Sequence, residues 1–276
     1  MKKFILIDSC ALLIMIACFS FKAEKKLPFN SQNDLSAKDL PVVKNEAFKR
    51  GEVRTFRLHY GIIEAGIATL GITEEEKELA GRKTYHVVGL GVSQGAFDFF
   101  YKVRDRYETY IDEQSMIPWM FVRRVNEGGY KIEQNYTFNH YTKKVDVGGG
   151  ETFPIEPNIQ DMVSAFYNAR TLDLSNAKPG DMFAINCFMD KEVWPLKIKF
   201  INKETVTTDL GTFRCLRFHP IVQKGRVFKH EEDLNVWITD DKNHIVIKGE
   251  ADVLVGAIKA ELTSYSGLAN PVSKVE

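Results

Sequence analysis

VWITDDKNHIVI, residues 236–247, sets two adjacent carboxylates, Asp240 and Asp241, between two runs of β-branched residues. Asp and Asn accept the local conformations of tight turns and hydrogen-bond nearby backbone N–H groups. Carboxylates doing acid–base work must face one substrate position, whereas neighbours at a turn tip point into water. The stretch therefore reads as strand, turn, strand. YIDEQSMIPWMF, residues 110–121, places Asp112 and Glu113 the same way. This echo covers about a dozen residues and fits a recurrent hairpin solution better than a duplicated half.

Outward from these hairpins the period is two. Tyr130, Ile132, Tyr136 and Phe138 alternate with Lys131, Glu133, Asn135, Thr137 and Asn139. Phe56, Leu58 and Tyr60 repeat the pattern, as do Leu196, Ile198 and Phe200, and Phe97, Phe99, Tyr101 and Val103. One buried and one wet face is the mark of antiparallel strands. Turn signals at 80–83, 126–129, 190–192, 209–211 and 240–243 separate about a dozen such strands. The fold class is mainly β: a long antiparallel sheet, curved or barrel-like.

One segment breaks the period. NIQDMVSAFYNARTLDL, residues 158–174, puts Met162, Phe166, Ala169 and Leu172 on one helical stripe. Pro157 precedes it and Lys178-Pro179-Gly180 ends it, so one central helix of about four turns is expected. Asp161, Ser164, Tyr167, Asn168 and Arg170 lie off the stripe. They read as the wet face of an amphipathic helix. Asp161, Tyr167 and Arg170 are the candidate rim of a cavity mouth.

The domain so defined covers residues 51–267, with a tail over 268–276. Residues 21–50 are polar, contain two prolines and show no sustained period. They read as a linker or arm, or else as a strap held down by Leu27, Phe29, Leu40 and Val42. Ahead of them, Met1-Lys2-Lys3 and the apolar run Ser9–Phe21 form a signal peptide over residues 1–20, too short to span a bilayer comfortably. Cleavage after Ser20 is favoured. The alternative is a partial lipobox, Ile16-Ala17-Cys18, in which Cys18 carries a lipid anchor. Both readings export the protein to the periplasm or cell envelope.

Lys plus Arg and Asp plus Glu each total 37 in the 276 residues. Without excess positive charge the main electrostatic drive for nucleic-acid binding is missing. Cys187 and Cys215 would sit two strands apart, about 10 Å, beyond disulfide reach. Two buried free thiols are expected. The glycine-rich GLGVSQG at residues 89–95 is one residue too long for a phosphate loop and is followed by strand-like FDFFY rather than a helix. His230-Glu231-Glu232-Asp233 cannot point several side chains at one ion from a strand, and the other histidines are scattered. No hydrolase or metalloprotease motif is present. No cofactor, metal or catalytic residue is therefore assigned, and a non-enzyme is expected.

Four motifs coincide in order: GEVRTFRLHYGIIEAG (51–66), DRYETYID (105–112) with PWMF (118–121), DMVSAFYNAR (161–170), and VWITDD (236–241) with VGAIKAEL (255–262). Together they resemble the bacterial exported family called domain of unknown function 3108. That resemblance brings no catalytic residues. The meander with its inserted helix is also similar, more loosely, to the LolA/LolB-like lipoprotein carriers of the bacterial envelope. It implies a greasy concave face that binds a lipid or other apolar small molecule. The competing expectation is a filled core, with Phe56, Phe99, Tyr101, Phe138 and Phe200 inside and other envelope proteins as partners. A hydrolase with a site assembled from strand ends is the least supported reading.

Overall fold

The computed structural model describes residues 40–222, 228, 230–254 and 256–275. The signal segment, Cys18 and most of the linker lie outside the described residues. Among the described residues, fifteen strands form one antiparallel sheet. They are β1 (Val53–Tyr60), β2 (Ile63–Ile72), β3 (Lys77–Leu79), β4 (Arg82–Ser93), β5 (Arg104–Asp112), β6 (Pro118–Glu127), β7 (Tyr130–Asn139), β8 (Lys144–Asp146), β9 (Thr152–Pro154), β10 (Met182–Met189), β11 (Glu192–Thr208), β12 (Gly211–Pro220), β13 (Leu234–Thr239), β14 (Val246–Asp252) and β15 (Ala257–Ser266). The spatial order runs β10 to β15, then β1, β2 and β4 to β9, with β3 against β4. The chain thus closes on itself in mid-sheet, where β1 pairs β15 through Tyr60↔Ile258 and Val53↔Ser266.

The sheet does not close into a barrel, but its two edges approach each other. Phe188 of β10 packs edge-on against Tyr136 and Phe138 of β7. Asp190 takes Arg123 at 3.3 Å. Between the edges runs the segment after β9, whose Gln160 bridges Cys187 in parallel. Aromatic and β-branched residues on the alternate inner positions fill the concave side. Tyr107, Phe121, Tyr136, Phe138 and Phe188 are among the largest fully buried side chains.

Two helices are present among the described residues: α1 (Gly95–Phe100) and α2 (Ser164–Arg170). Each corrects an expectation. The central helix has seven residues rather than the span 158–174. Gln160 is tied by backbone bonds to Asn186 and Phe188 of β10, so the chain enters α2 from a strand-like path. Residues 97–100 do not continue in strand. Ser93 Oγ bonds Asp98 and accepts the Val103 N–H, which holds the chain in a short helical excursion between β4 and β5. Phe99 leaves the core altogether, whereas Phe56, Phe138 and Phe200 enter it.

The paired aspartates form turns, as their spacing predicts, although Asp112 is buried rather than pointing into water. Asp241 Oδ1 accepts from the Asn243 N–H at 2.8 Å and the Thr239 hydroxyl at 3.0 Å, and Oδ2 accepts from the Ser273 N–H at 2.7 Å. Asp240 reaches outward to Lys203. Asp112 likewise accepts from the Gln114 and Ser115 N–H groups, Trp119 and Arg82. Residues 40–50 are a strap rather than a free arm: Leu40, Ala47 and Phe48 are buried, although Val42 is exposed. Among the described residues neither Cys187 nor Cys215 forms a disulfide; both are buried, and burial pushes the Cys215 thiol up to about 12.

Candidate functional site

Apart from the half-buried Asn168, the polar positions in and just before α2 do not face water. Asp161, Ser164, Tyr167 and Arg170 are all buried, because the helix lies inside the curve of the sheet. Asp161 precedes the first turn. Its Oδ1 accepts from the Val163 and Ser164 N–H groups at 2.7 and 2.8 Å, and its Oδ2 accepts from the Thr109 hydroxyl. Burial pushes its carboxyl up to about 6, against the downward pull of those hydrogen bonds.

Arg170 ends the helix in a closed cage. Its Nη atoms bind both oxygens of Glu52 at 2.6 and 2.7 Å, its Nε donates to the Asn243 carbonyl and Nη2 to the Ala47 carbonyl. Phe48 and Tyr167 stand under its guanidinium plane. Arg54 lies beside it and donates to the Tyr167 hydroxyl at 3.0 Å. Arg54 Nε sits 3.0 Å from Glu52 but is not aligned for a hydrogen bond. Two guanidiniums therefore share one carboxylate. Burial alone would raise the Glu52 carboxyl, but the attraction of Arg54 and Arg170 holds it below the usual carboxylate range. Burial and then the repulsion of Arg54 depress Arg170. The cluster keeps a net positive charge inside the protein.

This cluster borders a slot between α2 and strands β11–β14. Ala165, Phe166, Ala169, Leu172 and Leu174 form one wall, and Leu196, Ile198, Phe218, Val236, Ile238 and Val246 the other. Arg54, Arg170 and His244 are its polar lining. The enclosed volume is about 90 Å³, room for about three water-sized groups. A second cavity, of about 180 Å³, lies apart from the slot among Leu40, Ile117, His140, Ile155 and Pro157. Of the sequence candidates, Arg170 lines the slot, Tyr167 holds Arg54 against it, and Asp161 caps the helix away from it. Glu52 and Arg54 escaped notice, although both share the inward phase of Phe56 and Leu58, an unusual place for a charge.

Among the described residues, no group of three or more His, Cys, Asp or Glu side chains could hold a metal ion. His86 sits between Glu75 and Glu108, and His230 contacts Asp233 of its acidic run. GLGVSQG ends β4 and leads into α1, a helix of six residues with no capping side chain.

These features define a class: an antiparallel sheet curled around a short internal helix, with a narrow apolar slot beside the helix. The chain belongs to the family described as "Protein of unknown function (DUF3108)", whose model matches residues 55–263. A β-barrel-like protein of domain of unknown function DUF1849 from Brucella abortus has a similar fold, with a TM-score of 0.53 at 10% identity over 82% of this chain and 98% of that one. A hypothetical protein from Chlamydia trachomatis (TM-score 0.36, 8% identity, 83% and 92% covered) and the lipoprotein LppX of Mycobacterium tuberculosis (TM-score 0.15, 16% identity, 80% and 87% covered) are more distant. No curated protein matches the sequence.

Proposed function

We propose that this protein is a non-enzymatic binding module of the cell envelope, and that its ligand is an apolar molecule seated in the slot between α2 and β11–β14. The slot itself carries the reading. It is lined almost wholly by aliphatic and aromatic side chains, and binding sites for small molecules are concave and apolar with a few polar groups that fix orientation. Arg54 and Arg170 supply those polar groups. An acceptor on the ligand would meet a cluster that already holds more positive than negative charge. The enclosed space takes one end of a lipid-sized molecule, and the remainder leaves through the mouth.

Titration with the uncharged probe N-phenyl-1-naphthylamine tests this. Binding should raise its fluorescence saturably, and Ala169→Trp, which fills the slot, should abolish the rise while leaving the circular dichroism spectrum unchanged. Leu172→Gln offers a second variant at the slot wall. Saturable binding that survives both substitutions in folded protein would place the ligand elsewhere.

A further inference from the structure

The two ends of the sheet are built differently. At one end the turns are closed by Asp112, Asp241 and Asn243, and residues 40–50 cover them. At the other end four successive connections carry bare apolar side chains. Strand register fixes this end: Tyr60 pairs Ile258 and Ile63, Gly66 pairs Ser93, Val92 pairs Arg104, and Glu127 pairs Tyr130. The β14–β15, β1–β2, β4–β5 and β6–β7 connections therefore lie along one rim, about 34 Å of sheet edge at ordinary strand spacing. Leu254, Ile62, Ile63, Phe99, Phe100 and Tyr130 project from them. Ile62 is 100% exposed, Phe99 86% and Phe100 81%. Among the described residues, every exposed Phe or Tyr ring of the large hydrophobics stands on this rim.

We infer that this rim docks on an anionic phospholipid bilayer. Exposed apolar clusters of this kind mark interaction surfaces. The shape selects the partner. The side chains stand on separate turn tips spread along the rim, so a rigid protein would need several matched pockets, whereas the fluid interface of a bilayer admits separate protrusions. The charge agrees. Lys102 and Lys131 flank Phe99, Phe100 and Tyr130 and are exposed, and neither has an ion pair among the described residues. The one acid of α1, Asp98, is half-buried and taken by Arg104 at 2.7 Å. Aromatic rings at the headgroup level with lysines beside them are the usual furniture of a membrane interface. The inference stands apart from the slot and survives if the slot binds nothing.

The test uses residues 21–276, which hold every described strand and both helices. Cys187 and Cys215 are buried, so a cysteine introduced at Ile62 can be labelled selectively with an environment-sensitive dye. Vesicles of phosphatidylethanolamine and phosphatidylglycerol (3:1) should shift the emission of the Ile62→Cys conjugate to the blue. A conjugate at Asp209→Cys, on the opposite end, should not shift. In co-sedimentation, Phe99→Ser with Phe100→Ser should lower partitioning at least tenfold. Lys102→Glu with Lys131→Glu should weaken binding to these vesicles more than to pure phosphatidylcholine. No shift at Ile62, an equal shift at Asp209, or unchanged partitioning of the double serine variant would overturn the inference. So would a lipid-independent dimer that the same serine substitutions dissociate, because the rim would then be a self-interface.

Discussion

Replacing Glu52 by Gln leaves two buried guanidiniums without their anion. Gln keeps the volume and one acceptor oxygen, so packing is preserved and the perturbation is electrostatic. Arg54 is 3% exposed and Arg170 6%, so water cannot take over the lost charge. Breaking a buried pair by removing one partner costs about 3–5 kcal/mol, and the retained acceptor places this variant near 3 kcal/mol. At about 2–4 °C per kcal/mol for a domain of this size, Tm should fall by roughly 6–12 °C. Urea unfolding followed by the fluorescence of Trp119, Trp194 and Trp237 measures the change as a shift in midpoint at constant slope. The companion variant Glu52→Gln with Arg54→Met removes the surplus cation and should regain part of the loss. A Glu52→Gln protein less than about 1 kcal/mol below the parent, or a double variant that loses the sum of the two single effects, would refute the shared-carboxylate account.

Asp161→Asn should change the pH dependence of stability. The folded carboxyl titrates near 6, above its unfolded value, so its contribution is greatest at acid pH and is lost as pH rises through 6. Relative to the parent, the Asn variant should gain on the order of 2–3 kcal/mol between pH 4 and pH 7.5, read from urea midpoints; a constant difference would contradict the assignment. His140 acts in the opposite sense. Burial lowers its pKa to about 4, so the parent loses stability as pH falls from 6.5 towards 4, and His140→Phe should remove that loss from thermal melts. The two slopes partly cancel in the parent, which is why the single variants are needed. Asp241→Ala should cost about 1–2 kcal/mol, because it leaves the Asn243 and Ser273 N–H groups without their acceptor, whereas Asp240→Ala should stay within about 0.5 kcal/mol. Equal effects of the two would mean that the turn reading is wrong.

Much of the sheet is legible in the sequence because one-sided burial imposes a period of two. The hairpins at Asp112 and Asp241 are legible for a further reason, since a turn carboxylate between β-branched runs has one economical use. The strands β3, β8 and β9 are too short, at three residues each, for any period to show. The α2 region misleads in two ways. Its stripe is real, but Pro157 marks the entry to a strand-like path rather than the helix start. Its polar face is buried by partners 73 to 118 positions away, Asn243 and Glu52, which no local pattern reveals. FDFFY shows the limit of alternation: the pattern suits a strand, yet Asp98 folds back on Ser93 and Arg104, and Phe99 and Phe100 turn outward. The slot was the least legible feature, because it depends on how closely α2 approaches β11–β14.

Native mass spectrometry of the protein isolated from the envelope of a producing bacterium, before and after organic extraction, tests the slot most directly. The account predicts one lipid-sized adduct per chain that is lost on extraction and is absent from the folded Ala169→Trp variant. A bare chain in every preparation, with no uptake of added fatty acid, would contradict it.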